Sequence, residues 1–375
     1  MALDALRGLT VAGMILVNNA GDWGRVYGQL EHAPWHGCTA TDLIFPFFLF
    51  IVGVSITLSA RRRGLDQAAA PSWAAARPIL RRALLLFGLG LLLNAVPFTL
   101  ERPLRVMGVL QRISLCYLGA ALLAAWTRPR TQALAGAGLL LGTWAALRLV
   151  PVPGFGAFDL EKGHDLGAWL DRALLAGHLH QAAPDFAWFD PEGLFSTLPA
   201  LATTLAGVLA GRWLADLARP PHERVSGLFA VGLAGAVLGL GAHAWLPLNK
   251  SLWTPSYALF TAGLACQALA VCVWLIDLQG LRRWAAPFLP FGKNPIVAFW
   301  ASHALARVLV FGVTWQVPAA AGETRALSLK DWLYEACFAR GGSTPLTSLA
   351  YAVVYLGVWW ALMAELDRRR IYVKV

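Results

Sequence analysis

The sequence is poor in charged residues. Asp, Glu, Lys and Arg make up 14% of the 375 residues, whereas 58% are hydrophobic and the mean hydropathy is +0.57. Soluble globular domains contain about 25% charged residues. The composition therefore excludes an ordinary soluble domain and predicts a polytopic membrane protein.

Metal-binding patterns are also missing. The five cysteines show no zinc-site spacing, and Cys116, Cys266 and Cys272 lie inside apolar runs, as buried thiols commonly do. Three histidines share one polar region without a fixed spacing to a cysteine or an acid: His164, His178 and His180. We therefore predict no metal site.

Long apolar runs dominate what is present. Because about 20 apolar residues cross a bilayer as a helix, the sequence predicts an all-α bundle of about ten transmembrane helices in a single domain, residues 1–375. The predicted spans are about 4–21, 41–59, 79–97, 106–126, 132–150, 193–214, 225–246, 255–277, 289–315 and 345–366. The ninth is broken early by PFLPFGKNP. A short helix near 167–176 and an amphipathic stretch at 328–339 are predicted between spans.

The basic residues fall in alternate loops. The formal net charge is +10, but its clustering at the ends of the even-numbered spans reflects topology, so no nucleic-acid partner is predicted. By the positive-inside rule both termini are cytoplasmic. The loops at about 22–40, 151–192 and 317–344 are then extracytoplasmic. Asp4 and Arg7 interrupt the first apolar segment, which argues against a cleaved signal peptide.

The first extracytoplasmic loop carries the most suggestive side chains. His32 precedes Asp42, which lies at the start of the second span. A carboxylate there can orient an imidazole and stabilise its cation, as a general base requires. The alternatives are a loop histidine at the membrane surface and a first-turn acid favoured by the helix dipole.

Four other positions toward the outer side are candidates for contacts with the substrate or its reacting group. Trp35 can stack on a sugar ring, although interface belts also explain tryptophans near span ends. Asp190 and Glu192 form an acid pair able to bind a cationic or hydroxylated substrate, but DPEG also suits a helix start with Asp190 as its cap. Asn18, which ends the first span, is either an oxyanion donor or a helix-end amide that contacts the next loop.

Basic residues within the spans suggest an anion site. Arg7 either pairs with Asp4, extends its charge to the cytoplasmic surface, or binds a phosphate-bearing ligand. Arg112 is costly within a membrane and needs a cavity or an ion-pair partner, for which Glu101 and Glu192 are candidates.

The helix break at the ninth span adds two candidates for the same site. Lys293 and Asn294 lie where backbone groups are left without helical partners. Lys293 can contact phosphates there, although an ordinary cytoplasmic lysine is the alternative. His303, further along, either packs or lines a cavity.

Together these residues predict an anion site at the cytoplasmic mouth and a proton-handling site outside. That arrangement suits two functions: group transfer across the membrane and proton-coupled transport. No internal repeat is visible, which argues against the transporter.

Five runs, taken in order, resemble one family. They are LDALRGLTVAGMILVNN, HAPWHGCTATDLIFPFFLFIVGVSITLS, RVMGVLQRISLCYL, DPEGLFSTLPALATTLAGVLAG and PLNKSLWTPSYALFTAG. Together they resemble the heparan-α-glucosaminide N-acetyltransferase family and its bacterial relatives. The resemblance extends from Leu3 to about Gly263 and more loosely to Ala304.

The resemblance implies a membrane acyltransferase that takes acetyl-CoA from the cytoplasm and acetylates the amino group of a glucosamine on the other side. It assigns the active-site histidine to His32, the end-of-span asparagine to Asn18, and Asp42 to the matched TATDL. Either an acetyl-histidine intermediate or direct transfer uses His32. Arg7, Lys293, Asn294 and Arg112 are then expected on the donor side.

The resemblance also sets expectations about the setting of the enzyme. The chain starts almost at the first span, so a compact bacterial form in the inner membrane is expected, without the additional lumenal domain of the animal enzyme. Its acceptor is then free glucosamine, an oligosaccharide or an envelope sugar. The alternatives are a proton-coupled amino-sugar permease and an O-acyltransferase of an envelope glycan. The stretch 328–339 is a candidate surface for a homo-oligomer.

Overall fold

Helices make up most of the structure, a computed structural model that describes residues 1–62, 72–98, 103–180, 189–318 and 324–373. The helices, numbered in chain order, are α1 (Ala2–Val17), α2 (Ile44–Arg62), α3 (Trp73–Ala95), α4 (Val109–Trp126), α5 (Pro129–Leu149), α6 (Leu166–Leu174), α7 (Thr197–Ala215), α8 (Pro221–Ala242), α9 (Pro255–Cys272), α10 (Leu289–Lys293), α11 (Pro295–Arg307), α12 (Leu329–Cys337) and α13 (Pro345–Arg368). Two strands, β1 (Thr314–Pro318) and β2 (Thr324–Ser328), pair antiparallel with Thr314 opposite Ser328.

The all-α membrane fold is confirmed. Within the described ranges, eight helices are long and apolar enough to cross a bilayer. The other two predicted spans are α1, which has 16 residues, and α5, which has 21. The short helix of the long loop and the amphipathic stretch are also present as α6 and α12. The hairpin of β1 and β2 was not predicted: the ninth span was extended through residue 315, and residues 317–344 were predicted to form a loop.

Proline residues explain several helix starts. Proline occupies the first turn of α5, α8, α9, α11 and α13, where its missing N–H has no helical partner to lose. The predicted break of the ninth span is present, because α10 ends at Lys293 and α11 begins at Pro295. The break places Asn294 between two helices.

Glycine allows the closest helix contacts. A Cβ atom on Gly207 of α7 would lie 2.0 Å from the Phe50 carbonyl oxygen, and one on Gly53 of α2 would lie 2.0 Å from the Thr204 carbonyl oxygen. Small residues permit such backbone approach between membrane helices. The α2–α7 pair therefore forms a tight frame beside α1, which itself packs against α2, α9, α11 and α13.

The predicted outer loops meet on one face of the bundle. The Trp35 indole N–H donates to the Leu160 carbonyl at 2.7 Å, and the Asn249 amide donates to the Trp35 carbonyl at 3.0 Å. The loop before α2 is thus held by the loop after α5 and the loop after α8. We call this the His32 face; the ends of α1 and α10 near Arg7 form the opposite, Arg7 face.

Candidate active site

His32 and Asp42 form a hydrogen-bonded pair on the His32 face. His32 Nδ1 lies 2.7 Å from Asp42 Oδ1, and the side chains are 50% and 2% exposed, respectively. A carboxylate only accepts hydrogen bonds, so Nδ1 carries the proton and donates it to Asp42. The neutral ring then has its lone pair on Nε2. An accessible imidazole with a buried carboxylate behind it has the geometry of a general base.

The chain around Asp42 holds the carboxylate in place. Its Oδ2 accepts from the backbone N–H groups of Ala33 at 3.0 Å and Thr39 at 3.1 Å, and from the Thr39 hydroxyl at 3.1 Å. The Tyr257 hydroxyl donates to the Asp42 carbonyl at 2.6 Å. Because the carboxylate sits in a cage of donors, it remains ionised and fixes the orientation of His32.

Lys250 is the third member of this cluster, and the sequence alone did not predict that it lies beside His32. Its Nζ lies 3.1 Å from His32 Nδ1, 3.2 Å from His32 Nε2 and 3.6 Å from Asp42 Oδ1. Burial lowers the pKa of Lys250, and the charge of Asp42 partly offsets that effect. The signal that marks Lys250 is its place within the run PLNKSLW, which resembles the family.

Trp35 lies close to the cluster but is used in packing. Its indole N–H is bonded to Leu160, and its ring meets Phe189 edge-on with a centroid separation of 5.6 Å. The side chain is only partly buried. One part of the ring is therefore left accessible beside the His32 loop.

Asp190 and Glu192 are joined by Arg105, a residue that the sequence did not single out. The Arg105 guanidinium donates to Asp190 Oδ2 at 2.9 Å, to Asp190 Oδ1 at 2.5 Å and to Glu192 Oε2 at 2.5 Å. Burial acts to raise the pKa of Asp190, but the bonds to Arg105 outweigh it and lower that pKa. The helix-cap prediction for Asp190 was wrong, because α7 begins only at Thr197 and the carboxylate is recruited by Arg105.

Arg112 lies at the buried base of this region. Its guanidinium donates to the Ser196 hydroxyl and, at 3.3 Å, to the Gly193 carbonyl, and it lies 5.2 Å from the centroid of the Trp253 ring. The structure shows no ion pair between Arg112 and Glu192, whose carboxylate is bonded to Arg105; the other candidate partner, Glu101, lies outside the described residues. Arg112 is 0% exposed and does not line the large cavity described next.

A cavity of about 530 Å³ opens toward the Arg7 face. Arg7 lines it and donates to Asp4 Oδ1 at 3.0 Å, to the Gly292 carbonyl at 3.0 Å and to the Ser55 hydroxyl at 2.8 Å. The predicted Asp4–Arg7 pair is therefore present, and the guanidinium nevertheless faces a cavity.

Two more basic residues line the same cavity. Lys293 donates to both carboxylate oxygens of Asp367 at 2.8 Å. Arg82, not singled out before, lies 4.8 Å from the centroid of the Tyr117 ring, and its buried Nε has no hydrogen-bond partner among the described residues. The cavity thus has a basic mouth. Its deeper walls are apolar, from Met14, Phe48, Ile51, Leu86, Ile113 and Phe299.

Asn294 is next to Lys293 but performs a structural task. It is 0% exposed, its amide donates to the Ile371 carbonyl at 2.9 Å, and its Oδ1 accepts from the Val373 N–H at 2.9 Å. It therefore fixes the segment that follows α13, and it does not line the cavity.

A second cavity of about 320 Å³ holds Asn18. Asn18 Nδ2 lies 3.2 Å from His303 Nε2, and both residues line this cavity. Leu110 and Phe299 line both cavities. The two spaces therefore adjoin within the bundle, from the basic mouth at Arg7 to the other end of α1.

A comparison with known sequences bears directly on this arrangement. Residues 1–246 match the family model described as heparan-alpha-glucosaminide N-acetyltransferase, catalytic, which is well over half of the chain. The chain belongs to this family. The family match includes His32, Asp42, Asn18, Arg7 and Arg82, whereas Lys250, Lys293 and His303 lie beyond it.

Two relatives extend the family assignment. The heparan-alpha-glucosaminide N-acetyltransferases of Homo sapiens and Mus musculus are each 28% identical to this chain, over 354 and 361 residues. These alignments cover 80% and 82% of this chain and 52% and 54% of the relatives. The chain spans about half the length of the curated relatives that it matches.

The candidate residues therefore fall into separate groups. The structure brings His32 and Asp42 together, and it brings Arg7 and Lys293 to one cavity. Asn18 lines the second cavity instead, and no hydrogen bond between Asn18 and His32 occurs among the described residues. No group of three or more His, Cys, Asp or Glu side chains suited to a metal ion occurs in the described part of the chain.

Proposed function

We propose that this protein is a transmembrane N-acetyltransferase that moves an acetyl group from cytoplasmic acetyl-CoA to the amino group of a glucosamine-type sugar on the extracytoplasmic side. One observation carries the proposal. Adjoining cavities that share Leu110 and Phe299 lead into the bundle from a basic mouth, and the opposite face holds the His32–Asp42 pair. Membership of the family supports both the donor and the acceptor.

The larger cavity fits the donor. Its volume of about 530 Å³ lies within the range of about 300–1,000 Å³ typical of small-molecule sites. Arg7, Arg82 and Lys293 offer the cationic donors that phosphates prefer, and the apolar deeper walls suit the pantetheine arm. Acetyl-CoA supplies the thioester whose C–S bond is exchanged for the C–N bond of the amide.

Asn18 and His32 are proposed to handle the two reacting groups. Asn18 keeps one amide N–H beyond the one that faces His303, and that N–H donates to the carbonyl oxygen as negative charge develops on it. His32 Nε2 removes a proton from the sugar ammonium, so that the amine attacks the carbonyl carbon. The C–S bond breaks, and the thiol leaves with the second ammonium proton. Asp42 stabilises the imidazolium that forms.

The remaining candidates are proposed to shape the acceptor and donor ends. Trp35 presents its accessible ring edge to the sugar. Glu192 and Asp190 contribute to the acceptor site on the same side indirectly, by holding Arg105. Arg112 and Asn294 are buried, and they are proposed to hold the surrounding protein in place at the acceptor end and the donor end, respectively. One domain in the inner membrane with both termini cytoplasmic is the setting that the basic loops favour.

A transfer assay tests this proposal. Purified protein in detergent is incubated with radiolabelled acetyl-CoA and glucosamine, and wild type is compared with His32→Ala. His164→Ala is the matched control, because His164 also pairs with an acid on that face, at 3.0 Å from Asp159, away from the cluster. We expect labelled N-acetylglucosamine from wild type and His164→Ala, and none from His32→Ala, which still binds acetyl-CoA.

The other outcomes identify the alternatives. No acetyl-CoA binding by folded wild-type protein contradicts the enzyme and favours an amino-sugar permease. Labelled product that loses its acetyl group in mild base carries an ester, and so indicates an O-acyltransferase.

A further inference from the structure

Lys250 lies against the face of the His32 ring. Its ammonium contacts both ring nitrogens of His32, at 3.1 Å and 3.2 Å. Because the ammonium is almost equally far from the two nitrogens, it lies over the face of the ring and not along the in-plane Nε2 lone pair. An imidazolium would repel the ammonium at this distance, so the contact favours the neutral ring.

The contact is built into the fold. Lys250 follows Asn249, which is 0% exposed and whose amide donates to the Trp35 carbonyl at 3.0 Å, on the loop that carries His32. Asn249 Oδ1 accepts from the Leu252 N–H at 2.9 Å. The Lys250 side chain is only 22% exposed. Its backbone is therefore fixed against the His32 loop.

The charges around His32 balance only when Lys250 is present. Asp42 contributes one negative charge beside the ring, and Lys250 cancels it 3.6 Å away. Other titratable or charged groups coupled to Asp42 or Lys250 among the described residues include Cys38, Glu192, Arg112 and Tyr257. Without Lys250, the Asp42 carboxylate would favour a protonated ring, which cannot act as a base.

We propose that Lys250 is a positioning residue that keeps His32 neutral, with Nε2 free to accept a proton from the ammonium of the acceptor. This role deepens the proposed acetyl transfer and rests on it for its catalytic meaning. The charge coupling itself exists in the resting protein. It can therefore be measured without turnover.

Histidine modification tests the coupling directly. Diethylpyrocarbonate acylates only the neutral imidazole, and peptide mass spectrometry reports the rate at His32 between pH 5 and 8. Even at solvent-like screening, a unit charge 4 Å from a titrating group shifts the midpoint of its titration by about one pH unit. In Lys250→Met, we therefore expect the acid limb of the pH profile of His32 modification to move to higher pH by about one unit. At a given pH on that limb, His32 should then be modified about tenfold more slowly than in wild type.

Controls separate charge from structure. Lys250→Arg keeps the charge and should keep the acid limb of wild type, and His164 in the same samples should not change. In an active enzyme, the acid limb of kcat/KM should shift with the modification profile. An unchanged acid limb in Lys250→Met, or an equal shift in Lys250→Arg, overturns the proposal. Absence of acetyl transfer by wild type contradicts the proposed function alone.

Discussion

Asn18 and His303 meet at 3.2 Å between Nδ2 and Nε2, across 285 positions of the chain. His303 Nδ1 lies 2.9 Å from the Phe299 carbonyl, which only accepts, so Nδ1 carries the ring proton. Nε2 must then accept from the Asn18 amide. This chain of bonds fixes which way the Asn18 amide points in the second cavity.

Removing Asn18 should slow the transfer more than it weakens binding. We predict that Asn18→Ala lowers kcat by about 10²-fold, as is typical for loss of an oxyanion donor, with little change in KM for the acceptor. His303→Ala should lower kcat by a smaller factor, because the amide loses its orientation and keeps its N–H. Equal kcat in wild type and Asn18→Ala would remove Asn18 from the chemistry.

Arg82 should bind the donor. We predict that Arg82→Ala weakens coenzyme A binding by about tenfold or more, the effect of losing one charge-assisted hydrogen bond, as measured by calorimetry at fixed ionic strength. Arg81→Ala is the control, because Arg81 is exposed on the same helix and does not line the cavity. If both variants bind alike, Arg82 has no phosphate contact.

Gly207 should be required for the α2–α7 contact. A Cβ atom there would lie 2.0 Å from the Phe50 carbonyl oxygen, so Gly207→Ala must push the helices apart, at a cost of about 1–3 kcal/mol. A Cβ atom on Gly138 of α5 would have no heavy atom within 4 Å, so Gly138→Ala should be neutral or stabilising. Thermal unfolding in detergent, followed by size-exclusion chromatography, compares them; similar transition temperatures would contradict the contact.

Asp171 should make stability depend on pH. Burial raises the pKa of this α6 carboxyl to about 7, above the value near 4 of an unfolded chain. The folded protein therefore holds the proton more tightly, and the stability that this gives is lost as pH rises from about 4 through about 7.

Asp171→Asn tests that dependence. The amide oxygen can still accept from the Leu194 N–H, which Asp171 Oδ1 does at 2.9 Å, but it does not titrate. We expect wild type to lose thermal stability relative to Asp171→Asn between pH 5 and 8. Asp216→Asn is the control, because the Asp216 side chain is 42% exposed and its partner is an arginine, Arg219. Parallel curves for wild type and Asp171→Asn would contradict the buried acid.

The sequence predicted what local patterns encode. Apolar runs located the eight described helices that are long enough to cross a bilayer, and also α1 and α5, because the bilayer fixes the length and polarity of a span. His32 and Asp42 were paired in advance because only ten positions separate them on one loop and the helix that follows. The place of Asn18 at the end of an apolar span marked it as a candidate, and the resemblance to a family gave it a role in the active site.

The missed contacts are those made over long distances in the chain. Lys250 reaches His32 across 218 positions and Arg105 reaches Asp190 across 85, and no periodicity in a single sequence records such a pair. The same cause misplaced the start of α7. An Asp-Pro pair suits a helix cap locally, but the Asp190 carboxylate is bonded to the Arg105 guanidinium and α7 begins only at Thr197.

Transfer between opposite compartments tests the account most directly. Proteoliposomes are prepared with glucosamine sealed inside and radiolabelled acetyl-CoA only outside, and the fraction of protein with its Arg7 face outward is measured by labelling. The account predicts labelled N-acetylglucosamine inside the vesicles, in proportion to that fraction and absent with His32→Ala. Labelled product formed only when donor and acceptor share one compartment would contradict it.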